Sequence, residues 1–211
     1  MKIPSTGRIE TFSDGVMAII ITILVLELRL PELSADFSSE AFYQAIVDIA
    51  PKLIAYLFSF LVISIFWVNH HNLLHHLSHT NVGLLWHNNH LLLWLSLIPI
   101  PTGFIGEHPT HKYAIALYAF IMFMAALSFT LMSKYAMFKG ALMTGTVTAD
   151  RRKALLRRSW FGPSIYGLSI IAAFIHPYIA WVLFVCVPVY FFWPKSIQQE
   201  NSYTSNKEIN T

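Results

Sequence analysis

Asp14 stands at the head of an apolar run, Gly15 to Leu26, immediately after Arg8, Glu10, Phe12 and Ser13. An ionisable group inside a membrane helix is costly, faces a bundle interior or a wet path, and is a functional candidate by default. Its carboxylate could titrate as a proton relay, or it could hold neighbouring helices in place through hydrogen bonds. Partners at a similar depth are at hand. One apolar segment ends in Trp67-Val-Asn69-His70-His71-Asn72, and the next opens with Trp86-His87-Asn88-Asn89-His90. The imidazoles of His71-x-x-x-His75-His76 and His87-x-x-His90 have helical i, i+3 and i, i+4 spacing, which could gather them on a metal ion. Other chemistry is poorly supported. Ser13 beside Asp14 lacks a G-x-S-x-G context, and Asp14 has no second intramembrane carboxylate to pair with. No Thr-Val-Gly-Tyr-Gly filter is present, and Gly145-Thr-Val-Thr148 falls in a basic connection.

The elements that must position these groups are membrane helices. The 211 residues are 55% hydrophobic and 12% charged with a mean hydropathy of +0.55, about half the charge of a soluble domain. Apolar runs at 9–30, 52–74, 83–105, 113–135, 160–175 and 178–193 give six transmembrane helices, since about 20 residues span the hydrocarbon. The last two are short and part only at His176-Pro177, so a re-entrant hairpin is the alternative. Ser38 to Asp48 reads as a separate short amphipathic helix presenting Phe42, Ala45, Ile46 and Ile49, and Pro99, Pro101 and Pro188 imply kinks or early ends. The first segment is read as a retained helix, because Glu27 and Arg29 stand where a signal peptide would have small neutral residues. Residues 1–197 thus form one transmembrane domain, and 198–211 a polar, disordered tail.

Charge sets the orientation. Lys2, Arg8, Lys134, Lys139, Arg151, Arg152, Lys153, Arg157, Arg158, Lys195 and Lys207 all lie on one side of a six-helix topology, and only Arg29, Lys52 and Lys112 on the other. Both termini are therefore expected in the cytoplasm. The run Arg151 to Arg158 reads first as a topology signal beside anionic lipid. The net charge of +3 carries no sign of a nucleic-acid partner, and the lone Cys186 excludes an intrachain disulfide and a thiolate metal cluster.

On a helix turning about 100° per residue, Ile19, Thr22, Ile23, Leu26 and Leu30 share one stripe, while Ser13 and Asp14 point well off it. Two readings of the stripe stand. It packs against another helix of the same subunit, or copies of it meet around a symmetry axis and Ile19, Ile23 and Leu26 form stacked rings that restrict a pore by dewetting. Ser13 and Asp14 read as scaffold.

The pattern Arg8-x-x-x-Phe12-Ser13-Asp14 resembles the signature of the transmembrane protein 175 family of potassium channels. Trp67-x-x-His70-x-x-Leu73, Asn89, Leu97-Ile-Pro99-Ile-Pro101-Thr102 and Gly106-Glu-His-Pro109 follow in the family's order, so the likeness covers about residues 5–110; Ile100 departs where an aromatic is common. The resemblance implies a bacterial homotetramer of six-helix subunits that conducts potassium through a pore lined by the first helix. By it Ile19 is the constriction, Thr22, Ile23 and Leu26 are the next pore positions, and Arg8, Phe12, Ser13, Asp14, Trp67, His70 and Asn89 hold helix one in place. The expected partners are potassium ions, identical subunits and the bilayer of a bacterial inner membrane, with no cofactor and no catalysis. Proton permeation along the same path, relayed by Asp14 and the histidines, is the alternative. A further one is an iron-dependent membrane oxygenase, whose histidine boxes the run His71 to His90 resembles.

Overall fold

The computed structural model describes residues 5–28, 38–140, 142–145 and 147–192. They form an all-α bundle. Helix α1 (Thr6–Leu24) closes in a 3₁₀ turn, Val25–Glu27, and buries Ile9, Ser13, Met17, Ile20 and Leu24 against α2 (Ser39–His75) and α3 (Val82–Ser96). The spacing of 4, 4, 3 and 4 is the 3.6-residue repeat that keeps one face inward. Side chains start the next two helices by accepting a backbone N–H that has no partner of its own in the first turn. The Ser38 hydroxyl takes that of Ala41 at 3.2 Å, and the Asn81 amide oxygen that of Leu84 at 2.9 Å.

A short α4 (Pro99–Glu107) continues α3 after a break at Leu97–Ile98. Pro99 and Pro101 lack N–H groups, and both sit in the first turn of α4, where no intrahelical bond is lost. Gly106 lets α4 approach the backbone of Lys52 in α2, since a β-carbon there would stand 3.0 Å from the Lys52 Cα; beside it Lys52 Nζ pairs with Glu107 at 3.2 Å. Glu27 similarly lays its carboxylate where a β-carbon on Gly103 would stand.

Helix α5 (Lys112–Lys134) packs against α3 and α7 (Phe161–Ile175), and α8 (Pro177–Phe192) packs on α7. Lipid supplies no hydrophobic drive between helices, so buried polar contacts matter here. In the middle of the bundle the Ser59 hydroxyl of α2 bonds Thr102 of α4 at 2.8 Å and Tyr118 of α5 at 3.0 Å. Around Tyr118 the rings of Phe58, Tyr166 and Phe184 fill the space between α2, α5, α7 and α8. After α5 comes a π turn, Tyr135–Lys139, and then a strand-like contact of Leu77 with Met143, closed by Ser78 N–H to Leu142 O at 2.8 Å and Thr144 N–H to His76 O at 2.9 Å. The basic helix α6 (Ala149–Ser159) follows, capped by the Thr148 hydroxyl.

The structure bears on three sequence expectations. The amphipathic segment at 38–48 is no separate helix: α2 runs unbroken through Pro51 for 37 residues, about 55 Å at about 1.5 Å per residue, well beyond the roughly 30 Å hydrocarbon core. A single proline removes one N–H and need not end a helix whose other bonds survive. Of its expected apolar face, Ala45 is buried and Ile49 half-buried, whereas Phe42 and Ile46 are exposed. Second, four helical stretches are long and apolar enough to cross a membrane: Thr6–Glu27, Ser39–His75, Val82–Glu107 and Lys112–Lys139. At 15 and 16 residues, α7 and α8 are shorter. Third, the proposed tail at 198–211 and the end of the stripe at Leu30 lie outside the described residues.

Candidate functional site

The polar site lies where the first turns of α1 meet the end of α2 and the start of α3. Helices α1 and α2 run antiparallel there, so residues four apart on one face pairs four apart on the other. Trp67 Nε1 donates to the Asp14 carboxylate at 2.9 Å, and one turn further His71 Nδ1 meets Glu10 at 2.7 Å. Trp67, His71 and His75 stack in a column with ring centroids 6.1 and 6.2 Å apart.

The third helix completes the junction from inside. Ser13 is 0%, His70 0% and Asn88 1% exposed. The Asn88 amide nitrogen donates to Ser13 Oγ at 3.0 Å, and its oxygen lies 2.8 Å from His70 Nε2. An amide oxygen only accepts, so Nε2 carries the imidazole proton. One side chain of α3 thereby grips α1 and α2 together. Each of these buried groups would cost about 1–3 kcal/mol if left unpaired.

The other sequence candidates fall as follows. Asn89, expected in this network, is exposed, and its neighbour Asn88 takes the role, because a shift of one residue rotates a side chain by about 100° around a helix. Phe12 and Arg8 are exposed and off the junction, and Trp67 is half-exposed above it. Ile19, Thr22, Ile23 and Leu26 face away from their own subunit: Ile19 is 59% and Leu26 70% exposed, and nothing lies within 4 Å of where a β-carbon on Gly15 would stand. Packing of the stripe within the subunit, one of the two readings open in the sequence, is thus not what the fold does. Asn88 stands among the polar groups at this depth in the sequence but is not singled out there from its neighbours. Its signal was present in register, four residues after Leu84 and three before Leu91, both fully buried.

The histidines do not converge. His71 is paired with Glu10, and His76 Nδ1 lies 2.6 Å from the Asn72 carbonyl. His87 Nδ1 lies 2.7 Å from the Gly83 carbonyl, and its ring stacks on Tyr135 at 4.6 Å. His90 accepts from the Trp94 indole and meets the Ser128 hydroxyl. Among the described residues no group of three or more His, Cys, Asp or Glu is placed to hold a metal ion. His71 and His75 stack on α2, while His87 and His90 of α3 are engaged by Gly83 and Trp94, so the two boxes do not face one ion and the oxygenase reading loses its geometry.

An all-helical bundle with a three-helix polar junction and a free apolar edge on its first helix defines a multi-pass membrane protein. A family profile described as endosomal/lysosomal potassium channel TMEM175 matches residues 8–99. A Chryseobacterium protein named a potassium channel is 37% identical over 174 residues, 82% of this chain and 85% of that one. A Chamaesiphon minutus potassium channel is 31% identical over 189 residues, 88% of this chain and 93% of the relative. The crystal structure of a lysosomal potassium-selective channel TMEM175 homologue from Chamaesiphon minutus matches with a TM-score of 0.77 at 30% identity, over 88% of this chain and 95% of that one. The chain belongs to the TMEM175 family of ion channels, and it is not an enzyme.

Proposed function

We propose that the chain is the subunit of a passive, potassium-preferring channel, in which four copies turn α1 toward a common axis in a bacterial inner membrane. The observation that carries this reading is the free edge of α1. Arg8, Phe12, Gly15, Ile19, Thr22 and Leu26 are all exposed, and their spacing of 4, 3, 4, 3 and 4 is the heptad seam by which helices meet in bundles. A surface meant only for lipid needs neither a glycine nor a threonine on that line. Ile19, Ile23 and Leu26 then form stacked apolar rings that admit an ion only when wetted. The Thr22 hydroxyl donates to the Ile19 carbonyl at 2.8 Å, so its lone pairs are free to face an ion in place of hydration water. The scaffold role belongs to Ser13, Asp14, Trp67, His70 and Asn88, with Arg8 and Phe12 at the foot of the seam.

In this arrangement α1, α2, α3 with α4, α5, α7 and α8 make six crossings within residues 1–197, and both termini are cytoplasmic. The charge asymmetry supports that orientation, and the packing of α8 on α7 beside α5 supports the last two crossings. Proton permeation by titrating relays is the second reading. It is disfavoured because Asp14 and His70 turn toward α2 and α3, away from the seam.

Flux separates the two. Purified protein in liposomes should dissipate a potassium gradient and set a reversal potential that follows potassium and not pH. A potential tracking the proton gradient would overturn potassium preference, and no flux of either ion would overturn the channel. The assembly has its own test. With Cys186 replaced by serine, a Leu26→Cys protein treated with a mild oxidant should run as a disulfide-linked dimer, because side chains at a four-fold axis face their copies. A chain that stays monomeric would place Leu26 against lipid.

A further inference from the structure

Helix α6 carries Arg151, Arg152, Lys153, Arg157 and Arg158 against one acid, Asp150. Two of the five are spent on the protein itself. Arg152 donates from Nε to the Val147 carbonyl at 3.1 Å and from Nη1 to that of Met137 at 3.4 Å, which ties α6 to the π turn. Arg158 lays its guanidinium over the rings of Tyr190 and Phe191, 5.8 and 5.2 Å from their centroids, and so fastens the end of α6 to α8. Arg151, Lys153 and Arg157 are exposed, and none has a carboxylate partner among the described residues. Lys153 and Arg157 are four apart on one face, a like-charge spacing that by itself weakens a helix. Exposed Leu155 and Trp160 lie in the same stretch, directly before the apolar α7. Anchoring cations turned inward, unpaired cations outward and an indole at the junction describe a helix lying in the headgroup layer.

We infer that α6 binds anionic phospholipid: Arg151, Lys153 and Arg157 take headgroup phosphates, while Leu155 and Trp160 bed among the upper acyl carbons. The inference rests on the chain's being a membrane protein and not on conduction, so it survives or fails separately from the channel reading. A juxtamembrane cation near an anionic surface is worth about fivefold in affinity, and three of them about a hundredfold.

Native mass spectrometry and thermal melting of the full chain in neutral detergent, titrated with phosphatidylglycerol or phosphatidylcholine, test it. Wild-type protein should retain phosphatidylglycerol and melt higher with it, and gain little from phosphatidylcholine. The triple variant R151Q/K153Q/R157Q should bind phosphatidylglycerol about a hundredfold more weakly and Arg157→Gln alone about fivefold, while both melt as wild type in phosphatidylcholine. Lys112→Gln, which removes an exposed charge at the opposite end of α5, should bind as wild type. The inference is overturned if the triple variant, or the single variant where the triple fails to fold, keeps wild-type binding. It is equally overturned if Lys112→Gln loses as much as Arg157→Gln, or if inorganic phosphate raises the melting temperature as phosphatidylglycerol does.

Discussion

Replacing Ile19 by serine is expected to raise cation flux in liposomes by about tenfold, the effect of a barrier lowered by about 1.4 kcal/mol, and to narrow the preference for potassium over sodium. The side chain is largely exposed and its subunit gives it nothing to pack against, so the substitution removes no core contact. Melting should stay within about 0.5 kcal/mol of wild type, as for a surface change. In the proposed tetramer, what changes is the ring formed by the copies. Four isoleucines there would exclude water from a narrow path and make a crossing ion shed hydration, whereas four hydroxyls would keep the path wet and offer oxygen ligands. Ile19→Phe should do the opposite and suppress flux. Flux rates of both variants equal to wild type, with correct assembly, would take Ile19 out of the permeation path.

The second large effect is on stability. Asn88→Leu strips the donor from Ser13 and the acceptor from His70, leaving two buried polar groups unpaired in an apolar junction. At about 1–3 kcal/mol for each unsatisfied group, the variant should lose about 2–6 kcal/mol in detergent unfolding. Conduction should fall with it, because α1 is held to its own subunit at this end by Ser13, Asp14 and Glu10. The same physics predicts partial recovery in the triple variant S13A/H70L/N88L. Removing all three polar groups leaves none unsatisfied, and the remaining loss reflects only changed volume. A single substitution less damaging than the triple would show that the junction is not one network. Asn89→Leu serves as the neighbouring control and should be nearly silent, since Asn89 is exposed.

The comparison of Asn88 with Asn89 also shows how far a sequence reading reaches. Composition and hydropathy settle that the chain is a helical membrane protein, because the bilayer accepts only internally bonded backbone and demands long apolar runs. The motif from Arg8 to Asp14, with Trp67 and His70, resembles the family's signature, and such polar groups are too costly in a membrane to stand there without a purpose. The stripe of Ile19, Thr22, Ile23 and Leu26 is also visible in one dimension, since it depends only on helical periodicity.

What periodicity leaves open is which face meets which neighbour. Helix α1 has two usable seams, one through Ile9, Ser13, Met17, Ile20 and Leu24 and another through Phe12, Gly15, Ile19, Thr22 and Leu26, and both are apolar at helical spacing. Only the packing of α2 and α3 onto the first leaves the second free. The partners of Ser13 and Asp14 lie 75 and 53 residues away in sequence, so their identity follows from the antiparallel register and not from local pattern. The continuity of α2 through Pro51 and the scattering of the histidines have the same origin. Sequence determined the class, the motif and the stripe, because these follow from solvent and helix pitch. Tertiary structure alone decided Asn88, the dispersal of the imidazoles and the free edge of α1, because each is a relation between helices far apart along the chain.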